Sequence, residues 1–252
     1  MIKRAAFYCL HYGKEYLAWS IRSVQEAVDE IIVVYSDKPS FGHFSGLACP
    51  DTEEQLKDEA NRFLKRPLIW HKGTWGQEGM HRREIYRIAE ERKIDQVLVV
   101  DADELWHPED AAKALDLPPS RPERNVLVRF VHFWRSFNWT CPDPAMPVRI
   151  CNVKGTPTDW FLPPQTRPVL HFGYAQAFET IDYKMSIHGH KNELREGWAE
   201  HKYKAWKPES GIKDVHPTNI DFWAPQATSP LLKEAVDTLL KDHPYYGKDT
   251  IQ

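Results

Sequence analysis

No apolar run in this chain approaches the roughly 20 residues a helix needs to cross a bilayer, so no membrane span is expected. A basic surplus is missing too. Lys and Arg number 33 against 36 Asp and Glu, a net charge of −3, so there is no global positive field of the kind that dominates nonspecific nucleic-acid binding. The four cysteines, Cys9, Cys49, Cys141 and Cys151, form no CxxC pair, and the closed Cys and His set of structural zinc is absent. Nothing near Met1 resembles a charged segment followed by an apolar stretch and a cleavage site, so a cytoplasmic location is expected and the sequon Asn138-Trp139-Thr140 reads as coincidence. Repeats, low-complexity segments and clear linkers are also lacking, and 252 residues suffice for one α/β unit. A single domain over 1–252 is expected, with one half at 1–110 and a second half with a C-terminal extension at 111–252.

What is present alternates. Ala5 to Leu10 reads as a buried strand, Glu15 to Asp29 as a helix with Leu17, Ile21, Val24 and Val28 at helical spacing, and Ile31 to Tyr35 as a β-branched parallel strand. After a Pro- and Gly-bearing loop at Ser36 to Pro50, Asp51-Thr52 opens a second helix. Leu68 to Trp70 is a third strand, Met80 to Arg92 a third helix, and Gln96 to Val100 a fourth strand. Such alternation predicts a doubly wound, mostly parallel sheet flanked by helices. Beyond Asn125 the pattern loosens into candidate strands at Val126 to Phe133, Pro147 to Val153 and Val169 to Phe172. Helices are expected near Ala177 to Glu193, Trp198 to Trp206 and Pro230 to Lys241.

The fourth strand runs directly into Asp101-Ala102-Asp103-Glu104. Carboxylates at the carboxyl end of such a strand sit where α/β sheets place ligands, and their oxygens suit a hard divalent cation carrying phosphates. Alternation along an extended backbone sends Asp101 and Asp103 to the same side. The bland alternative is an acidic helix start, since His107-Pro108-Glu109-Asp110 follows. One imidazole could complete such a site. His171, at the end of an apolar strand, is the first candidate, followed by His188 and His190 around Gly189. Carboxylates with one imidazole favour Mn2+ or Mg2+.

Tyr8-Cys9-Leu10-His11-Tyr12, then Trp19-Ser20-Ile21-Arg22-Ser23-Val24, then Val28-Asp29-Glu30-Ile31-Ile32-Val33-Val34, and finally Asp101-Ala102-Asp103-Glu104 as a DxD motif, together resemble the family 2 type nucleotide-sugar glycosyltransferases of the GT-A fold. The resemblance covers the first 110 residues and is loose beyond them. It implies a GT-A nucleotide-diphospho-sugar transferase fold and transfer of a sugar from a nucleotide-diphosphate donor, UDP-sugar foremost, to an acceptor hydroxyl. Asp101 would reach ribose or metal, beside Ala102, and Asp103 the metal. Tyr12, Glu15 and Asp37 would frame the nucleoside, Asp37 standing alone where the family carries an Asp-rich turn.

The Gly73 to Arg83 loop and helix start offer Arg82 and Arg83 to phosphate. Arg121, Arg124, Arg129 and Arg135 interleave with Phe130, Phe133, Trp134, Phe137 and Trp139, so Trp134, Arg135 and Trp139 are candidate acceptor contacts, weighed against an ordinary core strand. Trp198, Trp206 and Trp223 with neighbouring lysines form a second such region. Asp159 and Glu179 are the candidate general bases. The acceptor would be a glycan or, as an option the arginine-rich segment keeps open, a hydroxymethylated DNA base. Alternatives are a nucleotidyltransferase on the same fold and a noncatalytic nucleotide- or sugar-binding module.

Overall fold

The computed structural model describes residues 2–39, 46–116, 123–162, 166–188, 191–218 and 223–251. Its first half alternates as the sequence predicts: β1 (Arg4–Leu10), α1 (Lys14–Val24), β2 (Glu30–Ser36), α2 (Glu53–Asn61), β3 (Leu68–Gly73), α3 (Glu78–Arg92) and β4 (Gln96–Val100). α1 is shorter than expected, giving way at Gln25–Ala27 to a 3-10 turn. The chain continues through β5 (Glu104–Leu105), α4 (Pro108–Asp116), β6 (Glu123–Leu127), β7 (Phe130–Trp134), β8 (Trp139–Pro142), β9 (Val148–Asn152), β10 (Thr156–Phe161), β11 (Val169–Tyr174), α5 (Phe178–Ser186), β12 (Gln226–Ala227) and α6 (Pro230–Leu240).

Seven strands form the main sheet in the order β10-β6-β9-β4-β1-β2-β3. β3, β2, β1 and β4 are mutually parallel, β9 runs against both β4 and β6, and β10 lies parallel to β6. This is a mixed α/β fold with a mostly parallel central sheet between helices. The strands are apolar on both faces because both faces are covered. Ala6, Tyr8, Leu10, Ile31 and Val33 pack with Leu17, Ile21 and Val24 of α1, Leu56 of α2 and Leu115 of α4, whereas Ala5, Phe7, Ile32 and Val34 pack with Ile85, Ile88 and Ala89 of α3. α2 starts cleanly because Thr52 and Gln55 exchange side-chain to backbone hydrogen bonds in a capping box.

A second sheet, β12-β8-β7-β11-β5, adjoins the first. The single strand expected over Val126 to Phe133 is in fact divided between the sheets. At the junction Val128 donates its N–H to the Pro147 carbonyl, and Arg129 accepts from Val169 N–H, so the chain steps from β6 in one ladder to β7 in the other. The helix expected from Ala177 ends at Ser186, and Trp198 to Trp206 contains a π-type turn, Ala199–Lys204, instead of an α-helix. Among the described residues no helix is long and apolar enough to cross a membrane.

Candidate active site

β4 ends at Val100, and the next three residues leave the main sheet before β5 joins the second one. Leu105 pairs with Leu170 and Glu104 with His171 on β11, while Phe172 donates its N–H to the Asp103 carbonyl at 2.8 Å. The acidic strand end and the His171 strand are thereby stitched together. Between them opens a cavity of about 400 Å³ whose lining includes Tyr12, Arg82, Asp101, Asp103, His171 and Lys184. That volume lies in the range of small-molecule sites.

Two glycines let the walls approach. Gly13, with φ of +133°, opens α1, and a Cβ there would stand 2.6 Å from the Ala102 Cβ. Gly173 lies under the His171 ring, and a Cβ would meet His171 Cε1 at 2.4 Å and Lys184 Nζ at 2.7 Å. Either contact is well inside van der Waals distance, so a larger residue would have to displace the site residues themselves.

The two aspartates have different surroundings. Arg149, on β9 and buried, donates from Nη2 to Asp101 Oδ2 at 2.8 Å and from Nε to Glu104 Oε2 at 2.8 Å, while Arg82 Nη1 lies 3.6 Å from Asp101 Oδ1. Burial pushes the Asp101 carboxyl up, but Arg149 and Arg82 outweigh it and hold the group at about 2. Glu104 is fully buried between Arg149 and Asp101, and burial, with the Asp101 charge beside it, pushes its carboxyl up to about 8, so it is an anchor and not a ligand. Asp103 instead accepts from Gln176 Nε2 at 2.9 Å through Oδ2, with Lys184 Nζ 3.6 Å from the same oxygen, and turns Oδ1 toward His171 Nε2 at 3.5 Å.

Behind His171 stands His132 on β7, its direct partner in the parallel β7–β11 ladder. The two Nδ1 atoms are 2.5 Å apart, and His132 Nε2 is 2.9 Å from Asp143 Oδ2. Burial lowers the pKa of both rings, that of His171 well below its ordinary value, so both are neutral at pH 7. Neutral imidazole is the metal-binding form.

Of the residues proposed from sequence, Tyr12, Arg82, Asp101, Ala102, Asp103, His171 and His188 meet in this cavity. Others do not. Glu15 accepts instead from the Ala177 N–H at 3.0 Å and from the Tyr245 hydroxyl at 2.7 Å, tying the start of α5 to the C-terminal segment. Asp37 and Arg83 are exposed and outside the lining; from the segment after β2 it is Pro39, and from α3 it is Glu78, His81 and Arg82, that border the cavity. Asp159 accepts from Asn125 at 2.8 Å on edge strand β10, and Glu179 lies exposed on α5; neither borders the cavity, so neither is placed to act as its base. His190 lies outside the described residues.

The candidate acceptor residues belong to an aromatic core. Trp134 is fully buried against Tyr203 and Trp206, Trp139 packs on Trp206 at 5.4 Å, and the Arg135 guanidinium is buried over the Tyr203 ring at 4.6 Å. Trp198 and Trp223 pack into the same cluster. Sequence reasoning missed Arg149, Gln176, Lys184 and His132. The buried-strand signal of Val148–Asn152 around one arginine could have found the first; the others carry no local signal.

Among the described residues no three His, Cys, Asp or Glu side chains converge into a ready metal cage. The Asp103 and His171 pair nonetheless suits Mn2+ or Mg2+, which take one or two protein ligands and leave further positions to phosphate oxygens and water. Asp101 is engaged by two guanidiniums and is not part of that pair.

No protein-family model matches the chain, and no curated protein matches it. Among solved structures, S. aureus TarS is similar over 68% of this chain and 37% of its own, with 14% identity and a TM-score of 0.43. A 4-diphosphocytidyl-2C-methyl-D-erythritol synthase is similar over 61% of this chain and 76% of its own, at 14% identity and a TM-score of 0.40. Glucosyl-3-phosphoglycerate synthase from Mycobacterium tuberculosis, in complex with Mn2+, UDP and phosphoglyceric acid, is similar over 52% of this chain and 43% of its own, at 15% identity and a TM-score of 0.34. The chain therefore spans less than half the length of two of these proteins. At such identities and TM-scores they say nothing of its activity.

Proposed function

We propose that the protein is a metal-dependent glycosyltransferase that takes a sugar from a nucleotide-diphosphate donor, a UDP-sugar foremost, and passes it to an acceptor hydroxyl of a glycan. The observation that carries this reading is the meeting of Asp101, Ala102, Asp103, Arg82, His171 and Lys184 around one cavity at the carboxyl end of the parallel sheet. Asp103 and His171 would hold Mn2+ or Mg2+, which when bound offsets the charge of the departing diphosphate. Arg82 and Lys184 approach from α3 and α5 and supply positive charge on either side of the acidic strand end. Tyr12 offers a ring wall near the nucleoside. Among the described residues the buried Gln176 Oε1 has no hydrogen-bond partner, which makes it an acceptor suited to a sugar hydroxyl.

The test is a panel of nucleotide sugars incubated with Mn2+ and assayed for nucleoside diphosphate. Asp103→Ala, with an unchanged circular dichroism spectrum, is expected to lose at least 100-fold in turnover, in line with removal of a group that stabilises developing charge. Wild-type rates in that variant refute the assignment, and release of pyrophosphate selects nucleotidyl transfer instead.

A further inference from the structure

His171 can serve as a cation ligand only if its Nε2 carries a lone pair, and the partner of the other ring nitrogen decides that. The outer end of the chain of contacts sets the direction. Asp143 is ionised, its carboxyl held low despite burial by its contacts with His132 and the Ala145 N–H, so it only accepts. Its Oδ1 takes the Ala145 N–H at 2.8 Å, and its Oδ2 takes His132 Nε2 at 2.9 Å. With its proton on Nε2 toward Asp143, His132 presents Nδ1 as an acceptor, and the 3.5 Å from His171 Nε2 to Asp103 Oδ1 is too long for that nitrogen to be the donor instead. The proton in the 2.5 Å contact between the two Nδ1 atoms therefore belongs to His171, which leaves His171 Nε2 bare and facing Asp103 Oδ1. Two lone-pair atoms 3.5 Å apart repel unless a cation lies between them.

We propose that His132 and Asp143 are positioning residues that hold His171 in the Nδ1–H tautomer, keeping Nε2 bare for a divalent cation in the cavity. The inference rests on the reading of His171 as a ligand given above. Its parts are rigidly held. His132 is only 7% exposed, sits opposite His171 in the ladder, and has the Trp223 ring against it at 4.6 Å. Neither His132 nor Asp143 borders the cavity, so substrate contact does not enter their role.

The experiment uses the full chain with 15N-labelled histidine, His171 signals being identified by their loss in His171→Gln. In the metal-free wild type, NMR is expected to show His171 protonated at Nδ1 and bare at Nε2. Calorimetry with Mn2+ alone should then show affinity 10- to 100-fold weaker in His132→Phe, the usual effect of losing an outer partner of a metal-binding imidazole. His132→Gln, whose amide oxygen can accept the His171 Nδ1–H, should stay within a few-fold of wild type, and Asp143→Ala should weaken binding as His132→Phe does. Should His132→Phe fail to fold, the other two variants carry the same comparison. A His171 proton on Nε2 in the wild type overturns the proposal, as does wild-type Mn2+ affinity in both His132→Phe and Asp143→Ala. If the wild type binds no Mn2+, the ligand reading fails, and so does the stated purpose of the relay, whereas an expected tautomer with normal Mn2+ binding but no sugar transfer leaves the relay standing and removes only the transferase assignment.

Discussion

At Asp101, a carboxylate held by Arg149 and Arg82 links the site to acid stability. Its folded pKa of about 2 lies below the unfolded value, so the stabilising contribution is complete above the unfolded pKa, near 3.8, and is lost as pH falls through the folded one. A shift of this size corresponds to about 2 kcal/mol. Asp101→Asn is therefore expected to be about 2 kcal/mol less stable than wild type at pH 7, with the gap closing between about pH 4 and pH 2; urea midpoints across that range check it. Asp101 and Asp103 were legible in the sequence because they follow an apolar strand run, and strand ends in α/β sheets gather ligands, whereas His171 was expected at a strand end and lies inside β11, paired with Glu104 and His132. Arg149 and Gln176 were not, since they reach the aspartates from 48 and 73 residues away. Trp134 and Arg135 were misread as acceptor contacts because alternating rings and guanidiniums look alike on a surface and in a core. Burial separates the two, and burial is not written locally.

Among the elements, β11 constrains the site most tightly. Its pairing with β7 shifts register between His171 and Tyr174, and Gly173 sits in that irregularity beneath the imidazole. Gly173→Ala is expected to push the His171 ring and Lys184 aside by about an ångström and to lower turnover about 100-fold, with small change in melting temperature. Turnover beside a thermal melt tests this. The first four strands and three helices were readable because apolar residues keep a clean period of 2 or 3.6 there. The division of Val126 to Phe133 between β6 and β7 was not, because strand-forming residues lie on both sides of the junction, and the exposed Arg129 between them fits the outward face of a single alternating strand equally well.

Across the whole molecule, the C-terminal segment after α6 returns to the start of the chain. His243 stacks on Tyr16 at 4.6 Å and packs against Trp19 at 4.3 Å, while its Nε2 donates to the Glu15 carbonyl at 2.8 Å. Asp242 pairs with Arg22, and the buried Ile251 donates its N–H to the Arg135 carbonyl at 2.8 Å. Removing residues 242–252 is expected to cost about 3 to 5 kcal/mol, from the exposure of several large side chains. It would also free Glu15 from Tyr245 and loosen α5, weakening the binding of the proposed UDP donor; melting curves and a UDP titration measure both.

The crossing of the chain from β4 to β5 has a mechanical consequence. Asp101 is clamped to the first ladder by an arginine from β9, whereas Asp103 is clamped to the second through Phe172. The spacing between these neighbouring carboxylates is thus a caliper reading of how the two ladders are seated, and a ligand gripping both jaws would lock that seating in place.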